Sequence, residues 1–140
     1  MARTVYYFDM DGVLANFHKE QYSYYNASNR EWIANLEPFM HNVNVIKDLL
    51  ANNKSVYIIT KAASEGAKEG KIIWLKKYIP ELDIKRFICI VGYGKKPDYM
   101  KTKTGVLIDD DIKNCKQWAK AGHKYLYLET KGQTIDLGAI

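Results

Sequence analysis

Asp9-Met10-Asp11-Gly12 follows directly on the apolar run Val5-Tyr6-Tyr7-Phe8. Two carboxylates one residue apart at the mouth of a strand suit catalysis: one as nucleophile or metal ligand, the other as acid or base. Three further polar groups also follow apolar runs. Thr60 and Lys61 come after Val56–Ile59, and Asp109, Asp110 and Asp111 come after Val106–Ile108. The basic stretch Lys95, Lys96, Lys101 and Lys103 lies between Phe87–Val91 and Val106. Gathered on one rim, the carboxylates repel one another and favour a hard divalent cation such as Mg²⁺. A hydroxyl and an ammonium beside them can hold phosphate oxygens during phosphoryl transfer.

The elements that must gather them are legible. Five short apolar runs recur at Thr4–Phe8, Ser55–Thr60, Phe87–Val91, Gly105–Ile108 and Lys124–Leu128. They are rich in Val, Ile and Tyr and alternate little, as strands buried on both faces do. Helical spacing fills Val43–Leu50, Ser64–Ile79 and Ile112–Ala121, with Ser64 as N-cap, Pro80 as a stop and Gly122 as a C-terminal stop. The alternation predicts an α/β fold: a largely parallel sheet of about five strands with helices on both faces. In such a sheet ligands bind outside the carboxyl ends of the strands, where all these polar groups fall.

Residues 14–40 break the pattern. The segment carries Phe17, His18, Tyr22, Tyr24, Tyr25, Trp32 and Phe39, with a turn at Asn26–Asn29. It reads as a small helical insertion after the first strand, with Ser28 or Asn29 capping a helix near Arg30–Leu36. A kinked first crossover helix is the alternative. The aromatics suit a stacking platform or a small core.

The 140 residues form one domain on this reading, 1–140. Cys89 and Cys115 have no CxxC partner and read as reduced apolar residues of a cytoplasmic protein. No His–Cys spacing suits zinc. No apolar stretch reaches the length of a membrane span, and no membrane partner is expected. A cleaved signal peptide would remove Asp9 and Asp11 and is not expected. The net charge of +5 suits a phosphate-bearing substrate or nucleic acid. Gly92-Tyr93-Gly94-Lys95 lacks the spacing of a nucleotide-binding loop and reads as a turn.

The ordered set Asp9-Met10-Asp11-Gly12, Thr60, a downstream lysine and Asp109-Asp110 resembles the haloacid dehalogenase (HAD) superfamily of phosphohydrolases over nearly the whole chain. That resemblance implies a Rossmann-like fold and a Mg²⁺-dependent phosphomonoesterase. Asp9 would be nucleophile and metal ligand. Asp11 would be the acid/base, with its backbone carbonyl on the metal. Thr60 would bond the phosphoryl group and Asp109 would approach the metal. Asp110 would orient the lysine or a metal-bound water. Lys96-Pro97 matches the family's Lys-Pro context, so Lys96 is the expected lysine, ahead of Lys95 and Lys101; Asp111 has no assigned role. Asp9–Ala15 and Leu107–Asp110 are also similar to the deoxyribonucleotidase-like group, which stacks a nucleobase on cap aromatics. That implies a deoxynucleoside 5′-monophosphate as substrate, bound with Phe17, His18, Trp32 and Lys61.

Two other readings share these residues. A phosphatase of nucleic acid ends fits the basic charge and the short insertion. A non-catalytic phospho-acceptor or phosphate-binding module would use the same groups without turnover. A response-regulator receiver would place its acidic pair on the first strand, whereas here the pair comes after Thr60 and the lysines.

Overall fold

The computed structural model describes residues 3–17 and 24–140. Strands β1 (Val5–Phe8), β2 (Ser55–Ala62), β3 (Phe87–Val91), β4 (Val106–Asp109) and β5 (Tyr125–Tyr127) form one parallel sheet. Their order is β3-β2-β1-β4-β5, a Rossmann-like α/β arrangement. β1 is central, with Tyr7 registered against Tyr57 on one side and Leu107 on the other. The strand order reverses at β1, so the loops after β1 and β4 part and leave a crevice between them. Asp9 stands at that point.

Side chains alternate between the two faces of each strand, and both faces are buried. Phe8, Ile58 and Ile108 pack with Val43 and Ile46 of α3 (Met40–Ala51) and with Ala67, Trp74 and Leu75 of α4 (Glu65–Tyr78). Tyr7, Ile59 and Leu107 pack on the other side with Trp118 of α5 (Ile112–Lys120). The helix starts follow local chemistry. Ser64 Oγ accepts from the Ala67 N–H at 3.0 Å, and the Asp111 carboxylate accepts from the Lys113 N–H at 2.9 Å. Each satisfies a helix N–H that has no partner within its own helix.

The insertion forms two short helices, α1 (Tyr24–Ser28) and α2 (Arg30–Ala34), rather than a kinked extension of α3. Asn29, not Ser28, caps α2, accepting from the Trp32 N–H at 2.9 Å. The insertion lies against α4. A Cβ at Gly70 would come within 2.5 Å of the Arg30 carbonyl and 2.9 Å of Ile33 Cβ, so a side chain there would push α2 away. Ser64 Oγ donates to the Ser28 carbonyl at 2.8 Å and Trp74 Nε1 to the Leu36 carbonyl at 2.8 Å. Ile33 and Leu36 thereby join the main core.

Asn42 clamps the loop after β1. Its fully buried amide donates to the carbonyls of Val13 and Gln133, both at 2.9 Å, and accepts from the Ile135 N–H at 2.9 Å. Both cysteines are free, as expected. Burial pushes the Cys115 thiol up to about 12 and raises that of Cys89, so neither is a ready nucleophile. Among the described residues, no helix is long and apolar enough to cross a membrane.

Candidate active site

After β1 the chain turns tightly, with the N–H groups of Leu14 and Ala15 on the Met10 carbonyl at 2.8 and 3.0 Å. Gly12 sits at φ +83°, and a Cβ there would fall 2.0 Å from Asp110 Oδ2. The glycine therefore does two jobs: it takes a backbone angle that side chains resist, and it lets the β4 acids approach the β1 acids.

Lys96 opens a short 3-10 turn, Lys96–Tyr99, with Pro97 in its first turn. The side chain is 1% exposed. Its ammonium donates to Asp9 Oδ1 at 2.9 Å and Asp109 Oδ2 at 2.8 Å. Lys95, Lys101 and Lys103 are exposed, so of the four candidate lysines Lys96 alone enters the site. Asp109 is fully buried at the end of β4 and also accepts from the Asp111 N–H at 2.9 Å and from Asn114 Nδ2 at 3.1 Å. The lysine's partner on β4 is therefore Asp109, where Asp110 was one expectation. The physical reason is strand alternation: Asp109 is still in the sheet, and Asp110, past its end, turns its carboxylate toward Gly12.

Burial raises the Asp9 carboxyl well above its ordinary value, and the charge of Asp109 raises it further; the attraction of Lys96 only partly offsets this. Asp110 is raised by the same two causes. Burial works to lower Lys96, but the charges of Asp9 and Asp109 outweigh it and the ammonium is held more firmly than usual.

A second buried lysine was not singled out by its sequence. Lys71 of α4 is 1% exposed. Its ammonium donates to Thr60 Oγ1 at 2.7 Å, Asp11 Oδ2 at 2.9 Å and the Lys61 carbonyl at 3.0 Å. The signal was present: Lys71 interrupts the buried stripe Ala67–Lys71–Leu75, where helical spacing calls for an apolar residue. Asp11 Oδ1, by contrast, is buried without a partner among the described residues.

Asp9, Asp11, Thr60, Lys61, Lys96 and Asp110 line one cavity of about 510 Å³, with Asp111, Ile112, Asn114 and Tyr127 completing its wall. Among the described residues Lys61 reaches only Asn114 Oδ1, at 3.4 Å. Phe17 and Trp32 do not line it. They meet edge to face at 5.1 Å and pack on the main core, and Trp32 borders a separate cavity of about 480 Å³ with Tyr25. The Phe17 carbonyl accepts from Lys131 Nζ. His18 lies outside the described residues, as does Tyr22.

Oxygens of Asp9, Asp109 and Asp110 lie within 4.8 Å of one another, a hard-oxygen set suited to Mg²⁺. Among the described residues, five carboxylates (Asp9, Asp11, Asp109, Asp110 and Asp111) gather here against three ammonium groups (Lys61, Lys71 and Lys96), a surplus of acids that suits a divalent cation. The Asp11 carboxylate stands apart from this trio, turned to Lys71.

No family model matches the chain, and no curated protein matches it.

If Asp11 serves as the expected acid/base, replacing Lys71 with methionine lowers turnover roughly 10²- to 10⁴-fold, the scale of that role. Thr60 and Asp11 both lose their donor. Steady-state kinetics across pH check this: loss of the limb that reports the acid/base supports the role, and an unchanged profile removes it.

Proposed function

We propose that the protein is a Mg²⁺-dependent phosphomonoesterase of HAD type, working through an aspartyl-phosphate on Asp9. The observation that carries this reading is the division of two neighbouring acids between two buried lysines. Asp9 goes to Lys96 and Asp11 goes to Lys71 and Thr60. Acids two residues apart thus receive different surroundings, which is what separate roles require.

In the first step an Asp9 oxygen attacks phosphorus, the bond to the leaving oxygen breaks, and Asp11 gives that oxygen a proton. In the second, water attacks phosphorus, the acyl-phosphate bond to Asp9 breaks, and Asp11 takes the water's proton. The unpartnered Asp11 Oδ1 is the free acceptor for that traffic. Lys96 holds Asp9 in place, and Thr60 presents its hydroxyl to the phosphoryl oxygens from the α4 side. Asp9, Asp109 and Asp110 would hold Mg²⁺, which supplies positive charge against the phosphoryl group.

The substrate proposed is a small phosphomonoester, with nucleotides as the leading class. Phosphate release from phenyl phosphate, nucleotides and sugar phosphates, with Mg²⁺ and with a chelator, tests the reading. Release with Mg²⁺, its loss to the chelator and its return on adding Mg²⁺ is the expected result. No release from any phosphomonoester leaves a phosphate-binding module in its place.

A further inference from the structure

We infer that Lys61 binds a second anionic group on the substrate, so that the preferred substrate is a phosphomonoester whose leaving group carries another phosphate or a carboxylate. This rests on the phosphatase reading above and names the substrate class of the same site.

Among the described residues three ammonium groups serve the site, and two are spent. Lys96 neutralises Asp9 and Asp109, and Lys71 neutralises Asp11. Both are 1% exposed and cannot turn to a new partner. Lys61 differs. It is half-buried, it lines the cavity, and the partner it reaches is the neutral amide of Asn114, at the long end of hydrogen bonding. The amide is itself set, because Asn114 Nδ2 is bonded to the buried Asp109 and its oxygen therefore faces Lys61. The Lys61 backbone is set too: its carbonyl accepts from Lys71, and the residue registers against Ile90 of β3. A cation carried on a fixed backbone position, resting on a weak neutral partner, is available to an anion without breaking a charge pair.

Its position separates it from the phosphoryl group. Successive strand residues face opposite sides of the sheet. Thr60 points to α4 and Lys71, and Lys61 points to α5 and Asn114. Thr60 and Lys61 therefore flank the Asp9 centre from opposite sides. On the Lys61 side the cavity wall includes Ile112 and Tyr127, the latter registered against Asp109. Asp111 also lines the cavity, with one carboxylate oxygen held by the Lys113 N–H as the α5 cap. A second anion would otherwise meet a cavity rich in carboxylates. Lys61 removes that obstacle on one side only, which is how a site selects.

The test compares deoxyadenosine 5′-monophosphate with deoxyadenosine 3′,5′-bisphosphate, and phenyl phosphate with 4-carboxyphenyl phosphate. A 5′-phosphorylated oligonucleotide forms a third arm. The ratio of kcat/KM within each pair is measured for the wild type and for Lys61→Met, so that any general change in turnover cancels. A charge-assisted contact predicts a wild-type preference of roughly ten- to a hundredfold for the doubly anionic substrate, carried mainly in KM, and its collapse in Lys61→Met. Equal ratios in the wild type overturn the inference, as does a preference that survives Lys61→Met. The oligonucleotide arm separates the sources of the second phosphate: a rate above that of the bisphosphate points to polynucleotide ends, a rate below it to small molecules. Release from phenyl phosphate without any preference overturns this inference and leaves the phosphatase reading standing. No release from any substrate overturns both.

Discussion

Asp9→Asn is expected to cut phosphate release by roughly four to six orders of magnitude, the scale on which removing a nucleophile acts. The same variant is expected to lose less melting temperature than the wild type as pH rises in metal-free buffer. The second effect follows from the direction of the Asp9 shift. Burial, then the charge of Asp109, hold its folded-state pKa well above the ordinary 3.8. A raised carboxyl binds its proton more tightly in the folded chain than in the unfolded one. Stability from this group is therefore present at low pH and lost as pH rises from 3.8 toward the folded-state value. Above that range the ionised group is a burden that asparagine removes. Asp110, raised by burial and by Asp109, adds to the slope in the same sense. Thermal melts of both proteins between pH 4 and 8, with chelator and then with Mg²⁺, check this. Activity within tenfold of wild type would sink the nucleophile assignment. An unaltered pH slope would sink the account of Asp9's burial.

Lys96→Met is expected to have the largest effect on folding. It leaves Asp9 and Asp109 facing each other without their shared cation, both buried. Breaking a buried pair in this way costs about 3–5 kcal/mol. Against a total of about 5–15 kcal/mol that is a large share, and on the order of 10–20 °C in Tm for a chain of this size. The double variant Lys96→Met with Asp109→Asn separates charge from packing. Recovery of much of the lost Tm supports an electrostatic cause; no recovery assigns the loss to packing of the lysine stem. Denaturation followed by circular dichroism reads both.

Much of this molecule is written locally. Val56–Ile59 and Val106–Ile108 are apolar runs because both faces of their strands are covered, and such runs show without the fold. Ser64 and Pro80 bracket α4, and Asp111 and Gly122 bracket α5, through hydrogen bonds and backbone angles that span a few residues. From these the order of strands and helices follows, and with it the polar residues that must reach the crevice: Asp9, Asp11, Thr60, Asp109 and Asp110.

The tertiary structure decided which partners those residues have. Among the four lysines between β3 and β4 only a resemblance favoured Lys96; its burial against Asp9, 87 positions away, comes from the fold. Lys71 meets Asp11 across 60 positions, and its place on α4 has meaning only once α4 covers β2. Asp109 and Asp110 are identical neighbours, told apart by which one the sheet still holds. Phe17 and Trp32 read equally as a platform or as core, and the glycines of α4 drew the insertion onto the helix and Trp32 into packing, away from the acids. Capping and periodicity are interactions over one or two turns of chain, so a sequence carries them in full. Charge pairing and burial depend on distances between segments far apart in the chain, and these arise only when the sheet and helices close on one another.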